Sequence, residues 1–313
     1  MKKKMIAVIL GCALAVTALA GCGTSGKKDA GTTENAASAE KEEAKGDSYK
    51  VAIVQQLDHA SLDEIRLAIE AELDKKAEEE GFQIEYKEFN GNNDATMLNQ
   101  IGSQVVGDQY DCIIPIATLA AQCMQAATEE SQIPVVFAAI TDPAKDLVID
   151  SMEAPGSNIT GTSDYLDSTA ILDMMFAQNP DIKTVGLLYS KSEGSSEVPI
   201  KEAKEYLNQK NIKYIEKTGT TTDEINSAVD SMLDKVDAIF TPTDNTVAAA
   251  ELTIADKMIT AKVPHYTGAD SFVRNGAYAT CGVNYTDLGT KTADMAVDIL
   301  KGADIKTYPI HVM

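Results

Sequence analysis

Short apolar runs alternate with amphipathic stretches along most of the chain. Residues 49–55 are rich in Val and Ile, and such a run predicts a buried strand. In residues 62–77, apolar side chains recur at spacings of three and four, which predicts an amphipathic helix. Ser61 and Glu64 have the spacing of a capping box at the start of this helix, and Gly81 suits its end.

The same order of strand and helix repeats toward the end of the chain. Further strands are predicted over residues 82–89, 111–116, 135–140, 184–189, 213–216, 238–241, 265–267 and 277–283. Further helices are predicted over residues 95–106, 119–127, 170–177, 198–209, 223–233, 246–259 and 288–300. Strands that alternate with helices in this way predict an α/β fold whose parallel sheets are covered on both faces.

Two halves of the chain share one pattern. Residues 111–118 and 237–244 each begin with Asp, continue as an apolar strand and end in polar residues, and a helix follows each. Residues 158–165 lie between the halves and interrupt the alternation of strand and helix. This repetition predicts two lobes of one architecture, and a single sheet of doubled length is the alternative.

The N-terminal segment differs from the rest of the chain. Lysines at positions 2–4 precede an apolar run, residues 5–16, that is too short to span a bilayer. Residues 19–22 read Leu-Ala-Gly-Cys, so the segment resembles a bacterial lipoprotein signal. The resemblance implies a signal peptide over residues 1–21 and a Cys22 that carries palmitate, which would anchor the protein outside the cytoplasm to the cell membrane. A plain secretory signal with a chance cysteine is the alternative.

Residues 22–48 follow as a polar segment. Behind the cysteine they consist of small, polar and charged residues, with no large apolar side chain. Because such a sequence cannot bury a core, we expect a flexible linker between the lipidated cysteine and the folded part.

The chain is strongly acidic. It has 27 Lys and Arg against 48 Asp and Glu, which gives a formal net charge of −21 at pH 7. A polyanion of this kind is a poor partner for nucleic acid or for acidic lipid headgroups. We therefore expect no nucleic-acid partner, and membrane attachment through the lipid alone.

Signals for metal binding or catalysis are missing from the sequence. Cys112, Cys123 and Cys281 have no metal-ligand spacing, so neither a metal nor a cofactor is predicted. The sequence does not decide whether Cys112 and Cys123 form a disulfide. Zinc-protease, serine-hydrolase, phosphate-loop and dinucleotide motifs do not occur. An amino-acid racemase would need an acid/base residue at a strand end in each half, and Cys112 lies at the wrong end of its strand. The sequence therefore predicts a protein that is not an enzyme.

Polar residues at the predicted strand ends are candidates for ligand binding, because open parallel sheets bind ligands there. Thr118 and the free N–H groups of the helix behind it would suit a carboxylate. Asp244 follows the equivalent strand of the other half and could pair with an ammonium group, with Asn245 beside it. Gln56 and His59 follow the first strand. Helix capping is the structural alternative for the residues that precede helices.

An expected crossing and two further strand ends carry candidates. Asp164 and Tyr165 lie where the chain is expected to cross between lobes, and a crossing segment lines the cleft. Glu193 follows the strand over residues 184–189, and Asp270 follows the strand that begins near residue 265.

Four sequence runs are similar to one known family. Residues 138–143, 155–165, 242–246 and 282–289 resemble the ABC-transporter substrate-binding proteins of the tryptophan/tyrosine type, and the similarity covers residues 49–301. The resemblance implies a type I periplasmic-binding-protein fold, in which two Rossmann-like lobes with parallel sheets are hinge-connected by three crossings. Lobe 1 would comprise residues 49–162 and 286–302, and lobe 2 residues 163–285 and 303–313.

The resemblance also implies roles for matched positions. Thr118 and Thr141 would lie near the ligand carboxylate, and Asp244 would face the ammonium. The other matched cleft positions are Asp164, Glu193, Asn245 and Asp270. Family members usually continue for another strand and a short helix beyond the position of Met313, so either the reading frame is truncated or the second lobe closes differently.

The function implied is that of a membrane-anchored solute-binding lipoprotein of an ABC importer. It would act as a monomer, capture an amino acid with an aromatic side chain between its lobes, and deliver it to the permease and ATPase subunits. A sensor lipoprotein that binds another small molecule and signals is the alternative.

Overall fold

The computed structural model describes residues 47–313. The predicted signal peptide, Cys22 and nearly all of the predicted linker lie outside the described residues. Within residues 47–313, no helix combines the length and the apolar character that crossing a membrane requires.

Strands and helices alternate through the described part of the chain. The strands are β1 (Ser48–Gln55), β2 (Gln83–Asn90), β3 (Cys112–Ile116), β4 (Val135–Ala138), β5 (Ile159–Ser163), β6 (Thr184–Tyr189), β7 (Lys213–Thr218), β8 (Ala238–Thr241), β9 (His265–Ala269), β10 (Ala279–Val283) and β11 (His311–Val312). The helices are α1 (Ala60–Glu80), α2 (Ala95–Gly107), α3 (Thr118–Ala127), α4 (Pro143–Asp146), α5 (Ser168–Gln178), α6 (Glu197–Gln209), α7 (Thr222–Asp230), α8 (Asn245–Ala261), α9 (Asp270–Arg274) and α10 (Tyr285–Leu300).

The first lobe is built on a six-stranded sheet in the order β11-β5-β4-β3-β1-β2, with every pair parallel. β3 and β4 are buried along their whole length, as expected for central strands covered on both faces. Ile65 of α1 and Leu288 of α10 belong to the core on one face, whereas Leu98 of α2 and Met124 of α3 belong to the core on the other.

The second lobe is built on a five-stranded sheet in the order β10-β9-β8-β6-β7, again with every pair parallel. Ile171 of α5 and Leu207 of α6 cover one face, and Val229 of α7 and Ile254 of α8 cover the other. Two separate parallel sheets confirm the predicted α/β class with two lobes, and the single doubled sheet is wrong.

The C-terminal segment differs from its prediction. β11 pairs with β5 of the first lobe, through His311 opposite Thr162 and Val312 opposite Ser163. Ile310 is buried in the core of that lobe. The assignment of residues 303–313 to the second lobe is therefore wrong. Within residues 47–313 the chain passes between the sheets twice, after β5 and after β10, and not three times as the resemblance implied.

Helix ends follow local chemistry, with one correction. Gly81 ends α1 in the left-handed conformation, with φ of 73°, as predicted. The predicted capping box at the start of α1 is wrong, because His59 is the N-cap and its ring accepts the N–H of Ser61. The Ser61 hydroxyl instead contacts Ser271 of the second lobe at 2.5 Å, and Glu64 binds Arg274.

The three cysteines in the described part of the chain are free. Cys112 and Cys123 are both buried, and they do not form the disulfide that the sequence left open. Burial raises the pKa of the Cys112 thiol to about 12, so this side chain is an inert part of the core.

Candidate ligand-binding cleft

The carboxyl ends of the two sheets face each other, and the loops behind them are in contact. We call the region between these strand ends the cleft. The hydrogen bonds that join the lobes across it include His59 Nε2 to Asn245 Oδ1 at 3.1 Å, Ser61 Oγ to Ser271 Oγ at 2.5 Å, and Thr141 Oγ1 to Thr243 Oγ1 at 3.3 Å. The side chains at the strand ends are consequently buried although they belong to loops.

Thr118 is the first residue inside α3, and its hydroxyl has no partner. The N-cap is Ala117, which has φ of +76° and provides no side-chain cap. Thr118 Oγ1 is buried without a hydrogen bond, beside the N–H groups at the start of the helix. The ordinary N-cap alternative for Thr118 therefore does not hold. A buried free hydroxyl at a helix N-terminus suits an anionic group.

Gln56 fixes the neighbouring backbone. Its Oε1 accepts the N–H of Leu119 at 3.0 Å, and its Nε2 donates to Asn93 Oδ1 at 2.8 Å. Gln56 is 1% exposed, so both ends of its amide are held inside the protein. It orients the start of α3 within the cleft.

His59 is a cap and a bridge between the lobes. Its Nδ1 accepts the N–H of Ser61 at 3.3 Å, and its Nε2 faces Asn245 Oδ1 at 3.1 Å. An imidazole that accepts at one nitrogen and donates at the other is neutral. Burial lowers the pKa of His59 to about 4, in agreement with these contacts.

Asp244 is the N-cap of α8 and is saturated by donors of its own lobe. Its Oδ1 accepts the N–H of Val247 at 2.9 Å. Its Oδ2 accepts the N–H of Ser190 at 2.7 Å and the hydroxyl of Ser196 at 2.6 Å. Burial, and secondarily the charge of Glu193, raises the pKa of Asp244 to about 7.

Glu193 lies in a turn of the second lobe against which the first lobe packs, because Gly194 lies beside Thr118 and Asp146. Its Oε2 accepts from Asn245 Nδ2 at 2.9 Å, and its Oε1 accepts from Thr246 Oγ1 at 3.1 Å. Burial raises the pKa of the Glu193 carboxyl, whereas the hydrogen bonds from Asn245 and Thr246 lower it. Glu193 therefore lies at the junction of the lobes, with Asp244 close behind it.

Basic side chains lie at the margins of the cleft. Among residues 47–313, no Lys, Arg or His nitrogen lies within 4.0 Å of a carboxylate oxygen of Glu193 or Asp244. Lys145 of the first lobe binds Glu197 of the second at 2.6 Å, and Arg274 pairs with Asp270 and Glu64. The interior of the cleft thus has carboxylates without a compensating cation.

Asp164 connects the two crossings between the lobes. It follows β5, and its Oδ2 accepts from the Tyr285 hydroxyl, which follows β10, at 3.1 Å. Its Oδ1 accepts from Thr141 Oγ1 at 2.9 Å. Burial raises the pKa of Asp164 to about 6. The hydroxyl proton of Thr141, expected to serve a ligand carboxylate, is thus directed at Asp164.

The two remaining candidates lie toward the edge. Tyr165 is 48% exposed and borders a cavity of about 210 Å³ that Val198 and Pro199 of the second lobe also line. Asp270 is the first residue of α9, and its Oδ2 binds Arg274 while its Oδ1 is buried without a partner.

Sequence reasoning missed three residues of the cleft. Asn93 accepts from Gln56, Thr243 contacts Thr141, and Tyr285 binds Asp164. Asn93 has φ of +56°, so the Asn-rich turn behind β2 was the local signal for it. The other two contacts join residues more than a hundred positions apart, and no local pattern shows them.

Two parallel α/β sheets with their carboxyl ends facing across a polar cleft define a type I periplasmic binding protein. The family model for "ABC transporter substrate binding protein" matches residues 50–313. The chain belongs to this family, as the sequence runs indicated.

Relatives with known names or structures support this membership. A tyrosine-binding protein of Clostridioides difficile (strain R20291) is 30% identical over 314 residues, which cover 99% of this chain and 88% of the relative. The crystal structure of an ABC domain in complex with L-Trp, from Streptococcus pneumonia, is 33% identical with a TM-score of 0.79, covering 85% of this chain and 89% of that one.

A third relative has been solved in an open form without ligand. A ligand-free, open substrate-binding protein with adhesive properties from Clostridium difficile is 32% identical, covers 84% of this chain and 89% of its own, and superposes with a TM-score of 0.63. The L-Trp complex superposes better at nearly the same identity. In this chain, hydrogen bonds across the cleft hold the lobes in contact, and we call this arrangement closed.

Proposed function

We propose that the protein captures an aromatic amino acid in the cleft and delivers it to the permease of an ABC importer. The observation that carries the proposal is the pairing of opposite chemistries across closed lobes. Thr118 presents a free buried hydroxyl at a helix N-terminus of the first lobe, and carboxylates without a cation lie in the second. A zwitterion complements both sides.

The first lobe would bind the ligand carboxylate. The start of α3 carries N–H groups that no helical carbonyl can accept, and Thr118 Oγ1 adds a donor. Gln56 already holds the N–H of Leu119, so it orients this anion site without occupying all of it. Thr141, already bonded to Asp164, would act at its edge.

The second lobe would bind the ligand ammonium. The sequence assigned this role to Asp244, and three donors of its own lobe already engage that carboxylate. Glu193 reaches the junction of the lobes, so we assign the direct contact to Glu193. Asp244 would add its charge from behind, with His59, Asn245 and Asp270 completing the polar lining.

An aromatic side chain is favoured by the named relatives, one described as tyrosine-binding and one solved with L-Trp. Tyr165, near the first crossing, is our candidate for stacking on the ligand ring. We further propose that the protein is a monomeric binding protein and not an enzyme, exported and anchored through lipid on Cys22, with the permease and ATPase subunits as partners.

A thermal-shift screen against amino acids, sugars and nucleosides tests the proposal. A ligand present at ~100 times its dissociation constant adds about 2.7 kcal/mol to the free energy of unfolding. We expect stabilisation by tryptophan, tyrosine or phenylalanine. Stabilisation by sugars or nucleosides without a response to amino acids would reject it. A response to leucine without aromatics would keep the zwitterion site and reject the aromatic pocket.

A further inference from the structure

Two neighbouring carboxylates are buried together in the closed cleft. Glu193 is 6% exposed and lies in the loop after β6. Asp244 is 1% exposed and lies in the loop between β8 and α8. The first lobe packs against the turn that holds Glu193, because Thr118 and Asp146 lie beside Gly194. Buried carboxylates are ordinarily paired with a cation, and here the protein supplies none.

The charged groups around the pair do not neutralise it. His59 of α1 is neutral, and Asp146 of α4, beside Gly194, is itself acidic. Lys145 of α4 binds Glu197. Lys191, in the same turn as Glu193, is exposed, and its charge helps to lower the pKa of Glu216 in β7. On α9, Asp270 is paired with Arg274.

We propose that Glu193 and Asp244 form a charge checkpoint, so that the lobes close fully only when a cation neutralises the pair. That cation is the ligand's ammonium group or, in the empty protein, one proton. The checkpoint deepens the proposed function, because it makes the amino group the feature that distinguishes a ligand from its deaminated analogue.

The physical reason is desolvation. In an open protein water solvates Glu193, whereas closure removes that water and leaves two like charges side by side. An ammonium group compensates the charge directly. When the cleft is empty, a proton taken from solvent converts one carboxylate to a neutral carboxyl, and opening returns it to solvent.

The sign of the pH effect follows from this. In the closed cleft, burial raises the pKa of both carboxyls, to about 7 for Asp244. Opening would return water to Glu193 and lower its pKa again, so the closed form would bind a proton that the open form releases. Closure of the empty protein is therefore favoured as pH falls through 7 and is lost as pH rises above it.

Small-angle scattering of the purified full chain tests the checkpoint without any ligand. We expect the radius of gyration of the empty protein to fall between pH 8 and pH 5. Glu193→Gln should be compact already at pH 8. Glu216→Gln, which removes a carboxylate outside the cleft, should behave as the wild type. An unchanged radius in the wild type between pH 8 and 5, or a Glu193→Gln protein as open as the wild type at pH 8, would overturn the proposal.

Ligand discrimination gives the second measurement. With L-tryptophan and 3-(indol-3-yl)propionate as probes, the wild type should prefer the amino acid, and Glu193→Gln should reduce the affinity ratio at least about tenfold. An unchanged ratio would refute the checkpoint. If neither probe binds the wild type, the aromatic assignment fails, and the scattering series still decides the checkpoint independently.

Discussion

At the residue scale, removing the free hydroxyl of Thr118 should weaken ligand binding without changing the stability of the fold. Thr118→Val keeps the shape of the side chain and removes a donor that has no partner in the protein. We expect unchanged thermal stability. The affinity for an aromatic amino acid should fall about tenfold to a hundredfold, since a hydrogen bond to a charged group contributes about 1.5–3 kcal/mol. Calorimetry and thermal unfolding of the same preparation measure both quantities.

Thr128→Val is the matched control for this experiment. Thr128 is fully buried away from the cleft, donates to the Met124 carbonyl at 2.9 Å and accepts from Asn158 at 2.9 Å. Its loss strands these partners, so stability should fall by about 1–3 kcal/mol while affinity is retained. Equal affinities for Thr118→Val and the wild type would remove Thr118 from the site.

Asp244 should matter for folding as well as for binding. Asp244→Ala removes the N-cap of α8 and strands the N–H of Ser190, so urea unfolding should show a loss of about 2–4 kcal/mol. Asp167→Ala is the control, because this exposed N-cap of α5 has donors only from its own first turn. An affinity reduced a hundredfold at unchanged stability would instead return the direct ammonium contact to Asp244.

The sequence identified which residues meet in the cleft better than what they bind. Strand ends brought Gln56, Thr118, Glu193 and Asp244 together, because the carboxyl ends of parallel strands lie at one edge of a sheet. The hydrogen-bond partners of these side chains could not be predicted in the same way. Two of the donors to Asp244, Ser190 and Ser196, come from a loop 54 and 48 positions earlier, and such a distance leaves no local signal.

At the element scale, strands with Val and Ile runs were predictable and β5 was not. β5 reads Ile-Thr-Gly-Thr-Ser and is nevertheless buried along its length. Thr160 Oγ1 donates to the Tyr308 carbonyl at 2.9 Å, and Thr162 Oγ1 contacts Thr292 Oγ1 at 2.7 Å. Partners remote in sequence accept or share these hydroxyl hydrogen bonds, so polar residues can occupy a buried strand. The local sequence pattern does not show these partners.

β11 was missed for a related reason. A strand of two residues has no periodicity, and its place depends on the free edge of β5. The anchor of the segment is Ile310, which is 6% exposed and whose N–H donates to the Met152 carbonyl at 2.8 Å.

The packing of this segment can be tested by truncating its anchor. Ile310→Ala should reduce the free energy of unfolding by about 2–5 kcal/mol, because it leaves a cavity in the core of the first lobe. Val312→Ala is the control, since Val312 is 49% exposed, and it should change stability by less than about 0.5 kcal/mol. Equal effects of the two substitutions in urea unfolding would contradict the observed packing.

At the scale of the whole molecule, the net charge distinguishes between two kinds of membrane attachment, namely electrostatic attraction to lipid headgroups and a covalent lipid anchor. The chain has a formal net charge of −21, so anionic headgroups repel the folded part. No helix within residues 47–313 could span a bilayer. Residues 19–22, which resemble a lipoprotein signal, would place a lipid on Cys22, and attachment through a lipid does not depend on the charge of the folded part.

We therefore predict that Cys22→Ala releases the protein from membranes. Each CH₂ group of an acyl chain that is buried in the bilayer stabilises membrane attachment by about 0.8 kcal/mol. In so acidic a chain, electrostatic attraction to anionic lipids cannot substitute for the acyl chains. Fractionation at low and high salt checks this prediction. The wild type should stay with the membranes at both salt concentrations, because salt screens charges and leaves lipid insertion unaffected. Cys112→Ala is a control that removes a buried thiol without changing residues 19–22, and it should fractionate as the wild type does. A Cys22→Ala protein that remains membrane-bound at high salt would show that another segment or partner holds it there.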